Sequence, residues 1–179
     1  LDMIEQYGAD ATRLSLIIGA PPGNDLPLSI DKIRGYKKFA NKVWNISRFT
    51  LTNIIEADWT HVPTYSSRDQ AILDSLHATS RAVTADIERF NLYLAGEQLY
   101  HYIWHELADK VLEESKPILN GDDEEAKRAR QFVLRECLLT SLKLLHPFMP
   151  FLTETIWQEL PKELKDQSLL MVAPWPETT

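Results

Sequence analysis

The chain contains a single cysteine, Cys137, among its 179 residues. A disulfide framework and a cysteine-rich zinc site each need at least two thiols, so both are excluded, and a reducing compartment, the cytoplasm, is expected. No apolar run approaches the ~18 residues that span a bilayer, and the N-terminus lacks the basic-then-apolar layout of a signal peptide. No membrane partner is expected. Also missing are alternating β-branched runs between turn signals, internal repeats and low-complexity segments. The first residue is Leu1 rather than Met, which points to a piece of a longer chain.

What is present is an ordinary globular composition, 44% apolar and 25% charged, sized for one or two small domains. The net charge of -7, from 19 basic and 26 acidic side chains, argues against nonspecific nucleic-acid binding. The charge is unevenly spread. Within residues 31–55, Lys32, Arg34, Lys37, Lys38, Lys42 and Arg48 stand against Asp31 alone, whereas residues 56–179 hold 12 basic and 21 acidic groups. One basic segment lies on an acidic body.

Helical periodicity runs through the sequence and predicts an all-α protein, an antiparallel helical bundle with a short N-terminal helical connector and an extended C-terminal tail. A first helical stretch ends near Ile18, and the 20–25 cluster (APPGND) reads as a loop. This divides the chain into a connector, residues 1–28, and a bundle, residues 29–179. Ser29 is a suitable N-cap for a long helix to about Ile55. Ser67 and Gln70 suggest a capping box for a second, whose inner face carries Ile72, Leu73, Leu76, Val83, Ile87 and Phe90. A third, from about Leu92 to Ser115, aligns Leu99, Ile103 and Leu107 and stops before Pro117. After an Asn120-Gly121 turn, the acidic run Asp122 to Glu125 suits the positive end of a fourth helix with a Leu-rich second half. Pro150 opens a short last helix to Leu160.

Projected at about 100° per residue, the helix over residues 33–54 gathers Ile33, Tyr36, Ala40, Val43, Trp44, Ser47, Leu51 and Ile54 on one side, read as the core stripe. Opposite them lie Arg34, Lys38, Asn41, Lys42, Asn45, Arg48, Phe49 and Thr52. Cations that meet phosphates, carboxamides that meet base edges and an aromatic face for an unstacked base together suit single-stranded nucleic acid. The same pattern also describes a solvated helix face with Phe49 packed on a neighbour.

Six segments, taken in order, resemble the C-terminal helical part of class I aminoacyl-tRNA synthetases, most closely the valyl branch. They are Leu1–Ala11 (LDMIEQYGADA), Pro22–Leu26 (PGNDL), Phe39–Phe49 (FANKVWNISRF), Ile103–Glu106 (IWHE), His146–Glu154 (HPFMPFLTE) and Pro174–Pro176 (PWP). The first and third resemble isoleucyl and leucyl members too, while His146–Glu154 looks distinctly valyl. The resemblance implies a tRNA anticodon-binding domain whose partners are the anticodon loop of valine tRNA and the catalytic domain of the same polypeptide, in a monomer. Valine codons begin GU, so the second and third anticodon bases, A and C, are the bases to read. By resemblance Lys42 and Phe49 face the anticodon. With them, Lys38, Asn41, Asn45 and Arg48 make up the expected tRNA-binding set.

Neither the HIGH nor the KMSKS motif of that family occurs here, so no catalytic residue is assigned and the ATP and valine sites are expected upstream of Leu1. No cofactor is expected in this part; ATP would serve the parent ligase. The alternatives are the same domain from an isoleucyl or leucyl enzyme, or a helical protein-interaction module without tRNA binding. His101 and His105 lack the Glu that a zincin pattern needs after its first His, and no metal site is assigned. Cys137 is expected to be a buried thiol, and Trp104, Trp157 and Trp175 core or tail-packing residues.

Overall fold

The computed structural model describes residues 2–19, 23, 29–55 and 57–176, and among these every regular element is helical. The order is α1 (Asp2–Tyr7), α2 (Ala9–Ile17), α3 (Ile30–Ile54), α4 (Ser67–Glu88), α5 (Leu92–His101), a π-helical segment (Tyr102–Val111), α6 (Leu112–Leu119), α7 (Glu124–Leu145) and α8 (Pro150–Glu159). Two 3₁₀ turns, Lys162–Leu164 and Leu170–Val172, follow. The expected all-helical bundle is therefore observed. Apart from Gly23, the 20–25 loop lies outside the described residues.

Local chemistry sets the helix starts. Ser29 accepts the Lys32 N–H and opens α3, and Asp123 accepts the Ala126 N–H at 3.0 Å to open α7. The capping box of α4 sits one residue earlier than expected. Ser66, not Ser67, accepts the Asp69 N–H at 3.1 Å, while the Asp69 carboxylate accepts the Ser66 N–H at 3.2 Å. Asp69 is favoured at that third position because its other oxygen meets the buried Arg130 at 2.9 Å. Arg130 also donates to the Ser115 hydroxyl at 3.1 Å, tying α4, α6 and α7 together at the centre.

The core axis runs through Phe39, Ile46, Leu76, Val83, Leu99, Leu134, Leu138 and Trp157, each at most 4% exposed. Cys137 is buried among them, and burial pushes its thiol up to about 12. Trp157 is enclosed and donates its indole N–H to the Gln167 carbonyl. Trp175 stays partly exposed and donates to the Thr84 hydroxyl, and in the tail Leu170 is buried while Met171 and Val172 face solvent.

Three further expectations about the helices need correction. The N-terminal stretch is two helices, broken at Gly8 by a φ of 92°. Phe90 is not on the inner face of α4: that helix ends at Glu88, and Phe90 turns outward at φ 60°, 83% exposed. Helix continues through Pro117 to Leu119 because Pro117 lies in the exposed last turn, where one missing N–H removes a single bond near the end.

The N-terminal helices join the same core. Ala11, Leu14 and Ile18 are buried, and a Cβ on Gly96 of α5 would lie 2.9 Å from Ile18 Cγ1. The Asp10 carboxylate reaches the first turn of α8, accepting the N–H groups of Phe151 at 3.3 Å and Leu152 at 2.6 Å. Burial raises its pKa against the lowering effect of those bonds.

Candidate nucleic-acid interface

Helix α3 positions the basic face. It buries Ile33, Tyr36, Phe39, Val43, Ile46, Ser47, Thr50 and Ile54 against α2, α7 and the π-helical segment. At about 100° per residue these centre on a line directly opposite Arg34, Lys38, Asn41, Asn45, Arg48 and Thr52, all exposed. Trp44 and Phe49 sit roughly 110° either side of the core line. That corrects the projected stripe: Trp44 is 39% exposed rather than a core residue, and Phe49 is half-buried against the core rather than standing free among the cations. The ladder Phe39, Ile46, Thr50 is the signal that would have placed both, since it turns the apolar axis away from Trp44.

The basic residues of α3 are not equivalent. Arg34 pairs with Asp31 at 2.9 Å, Lys37 donates to the Gln6 carbonyl at 2.8 Å and Lys32 donates to the Ile18 carbonyl. Lys42 is held on two sides, its ammonium 3.0 Å from Asp109 Oδ1 and 5.6 Å from the centre of the Trp104 ring. The π-helical segment explains this grip. Trp104 and Asp109 are five residues apart, which would put them on different faces of an α-helix but aligns them where bonds run i to i+5. His105 Nδ1 lies 3.5 Å from the other Asp109 oxygen, and the Asp109 carboxyl is held below its ordinary value, the Lys42 hydrogen bond foremost.

By contrast, the side chains of Lys38, Asn41, Asn45 and Arg48 have no hydrogen-bond or ion-pair partner among the described residues. Their spacing of three, four and three residues sets them in one row about 15 Å long. The structure thus brings four of the six expected residues together on open surface, fixes Lys42 beside them and leaves one edge of Phe49 accessible. Sequence reasoning missed Trp44, which stands next to Asn41, Asn45 and Arg48 on the helix surface and borders a groove toward α8.

Elsewhere the chemistry is sparse. His101 and His105 have ring centres 4.8 Å apart, and no group of three or more His, Cys, Asp or Glu among the described residues could hold a metal ion. No helix among them is long and apolar enough to cross a membrane.

The comparisons agree on the family. A model described as the anticodon-binding domain of tRNA ligase matches residues 69–179. The chain is 42% identical over 180 residues to a valine-tRNA ligase of Geobacillus stearothermophilus, a match covering 99% of this chain and 20% of that protein. It is 40% identical over 179 residues to one from Clostridium acetobutylicum, covering 98% and 20%. The chain spans about a fifth of the length of these curated relatives. In fold it resembles the LeuRS of an Agrobacterium radiobacter K84 LeuRS-tRNA-LeuAMS ternary complex, at TM-score 0.71 and 19% identity over 98% of this chain and 20% of that one. With relatives aligned along nearly its whole length and a family model over residues 69–179, this chain belongs to the anticodon-binding domain family of tRNA ligases.

Proposed function

We propose that the chain is the tRNA-binding domain of a valine-tRNA ligase and that the exposed row on α3 holds the anticodon loop of valine tRNA. The observation that carries this reading is the alignment of Lys38, Asn41, Asn45 and Arg48, unpartnered among the described residues, on one open face. Lys38 and Arg48 meet phosphates, and Asn41 and Asn45 meet base edges. Lys42, fixed by Asp109 and Trp104, presents a preset ammonium, and the accessible edge of Phe49 supports a splayed base. The relatives at 40–42% identity support valine over isoleucine or leucine as the cognate amino acid.

In this reading the domain positions tRNA, while valine activation with ATP belongs to a catalytic domain elsewhere in the same polypeptide. It needs no cofactor of its own and acts as part of a cytoplasmic monomer. The acidic remainder of the chain discourages phosphate from other faces.

The test is titration of the chain with valine anticodon stem-loops at several salt concentrations. Affinity should fall steadily as salt rises, and changing the second or third anticodon base should weaken it. Equal affinity for every anticodon would overturn base reading, and no salt dependence would overturn the role of the basic row.

A further inference from the structure

Beside the row, α3 and α8 enclose a groove of about 390 Å³ lined by Trp44, Arg48, Leu51, Ile55, Ile156 and Glu159. Its floor is apolar and open: Trp44 is 39% and Ile55 64% exposed. Its rim carries one cation and one anion. Arg48 and Glu159 share the groove yet form no ion pair with each other or with any other described residue. An apolar floor with a donor and an acceptor at its edge matches a nucleobase, which has a π-face and a polar rim. The location favours that occupant over a protein side chain, because Arg48 belongs at once to the groove and to the phosphate-facing row.

Resting on the function proposed above, we infer that this groove seats one unstacked base of the bound RNA, with Trp44 as its stacking platform. Glu159 then selects among bases. A carboxylate accepts a hydrogen bond from the exocyclic amine of cytosine or adenine and finds only an acceptor at O4 of uracil. Both fixed valine anticodon bases carry such an amine. Arg48 holds the phosphate beside the seated base.

The experiment uses the 179-residue chain and labelled RNA stem-loops carrying the valine anticodon, the same loop with an abasic site at the second or third anticodon position, and a loop with cytosine changed to uracil. Trp44→Leu should weaken binding to the intact loop about tenfold, and Trp44→Phe should restore most of it. One abasic site should cost the wild type about tenfold and cost Trp44→Leu less than twofold, because platform and base are already uncoupled. Glu159→Gln should shrink the preference for cytosine over uracil severalfold. Thermal melting checks that each variant folds, as expected for a partly exposed Trp44. Binding of Trp44→Leu within twofold of wild type, or equal abasic losses in both proteins, overturns the seat. If the groove instead takes a partner protein's apolar side chain, Trp44→Leu leaves RNA binding unchanged. Wild type that discriminates anticodons together with an unaffected Trp44→Leu sinks this inference alone; wild type that binds no loop sinks the parent reading as well.

Discussion

Two long helices use arginine in opposite ways. On α7, Arg130 is 1% exposed and hydrogen-bonded to Asp69 and Ser115; on α3, Arg48 is exposed and unpartnered among the described residues. A buried guanidinium without partners would be costly, so the interior supplies two and the arginine becomes part of the packing. An exposed one is satisfied by water, so nothing in the fold requires Arg48 to be basic. The contrast separates charges that build the domain from charges that remain available to a ligand.

The sharpest way to break that contrast is Arg130→Met, which fills similar volume but leaves Asp69 buried and unpaired. It should lower stability by about 3–5 kcal/mol in urea unfolding while leaving the RNA affinity of the folded protein unchanged. An unmoved midpoint would mean the interior does not need its cation. The complementary change, Lys38→Ala with Arg48→Ala, should alter stability by no more than about 0.5 kcal/mol. In RNA titrations the same double variant should reduce the salt slope by about 2, one for each lost phosphate contact.

Lys42 stands between the extremes, half-exposed and ion-paired. A double-mutant cycle of Lys42→Ala and Asp109→Ala should give a small favourable coupling that shrinks as salt rises, and Lys42→Ala should also weaken RNA binding. The smallest effect concerns His146, whose pKa is lowered by burial while its ring contacts the Thr153 hydroxyl at 2.8 Å. The unfolded chain takes up the proton more readily than the folded one. Its contribution is therefore complete above the ordinary value of 6.5 and is lost as pH falls through it toward the lowered folded value. Melting curves between pH 8 and pH 5 should show this loss in the wild type and lack that part of it in His146→Gln.

Much of the bundle was legible because its signals are local. Ser29, Asp123 and Pro150 open helices by satisfying or omitting first-turn N–H groups, and an apolar period of 3.6 needs no knowledge of the partner helix. Two of the misplacements involve tertiary context. Ser66 won over Ser67 as the cap because Asp69 is drawn to Arg130, 61 residues away. Trp44 was assigned to the core because an aromatic at the stripe's margin can face either way until the neighbouring helix is placed. The row Lys38, Asn41, Asn45, Arg48 was visible in projection, but which basic residues stay unpaired was not: Asp109 reaches Lys42 only through a π-helical register that no residue type announces.

The bond from Asp10 to the first turn of α8 joins positions 141 and 142 residues apart. On a ribosome adding about 5–20 residues per second, the Asp10 segment would emerge roughly 7–28 s before the N–H donors of α8 could exist. During that interval Ala11, Leu14 and Ile18 have no α8 to close over them, and their apolar side chains are open to holdase chaperones. Closure of this loop is then a late event of biosynthesis, and a nascent chain stalled before Leu152 would carry a helical body whose first two helices are still undocked from α8.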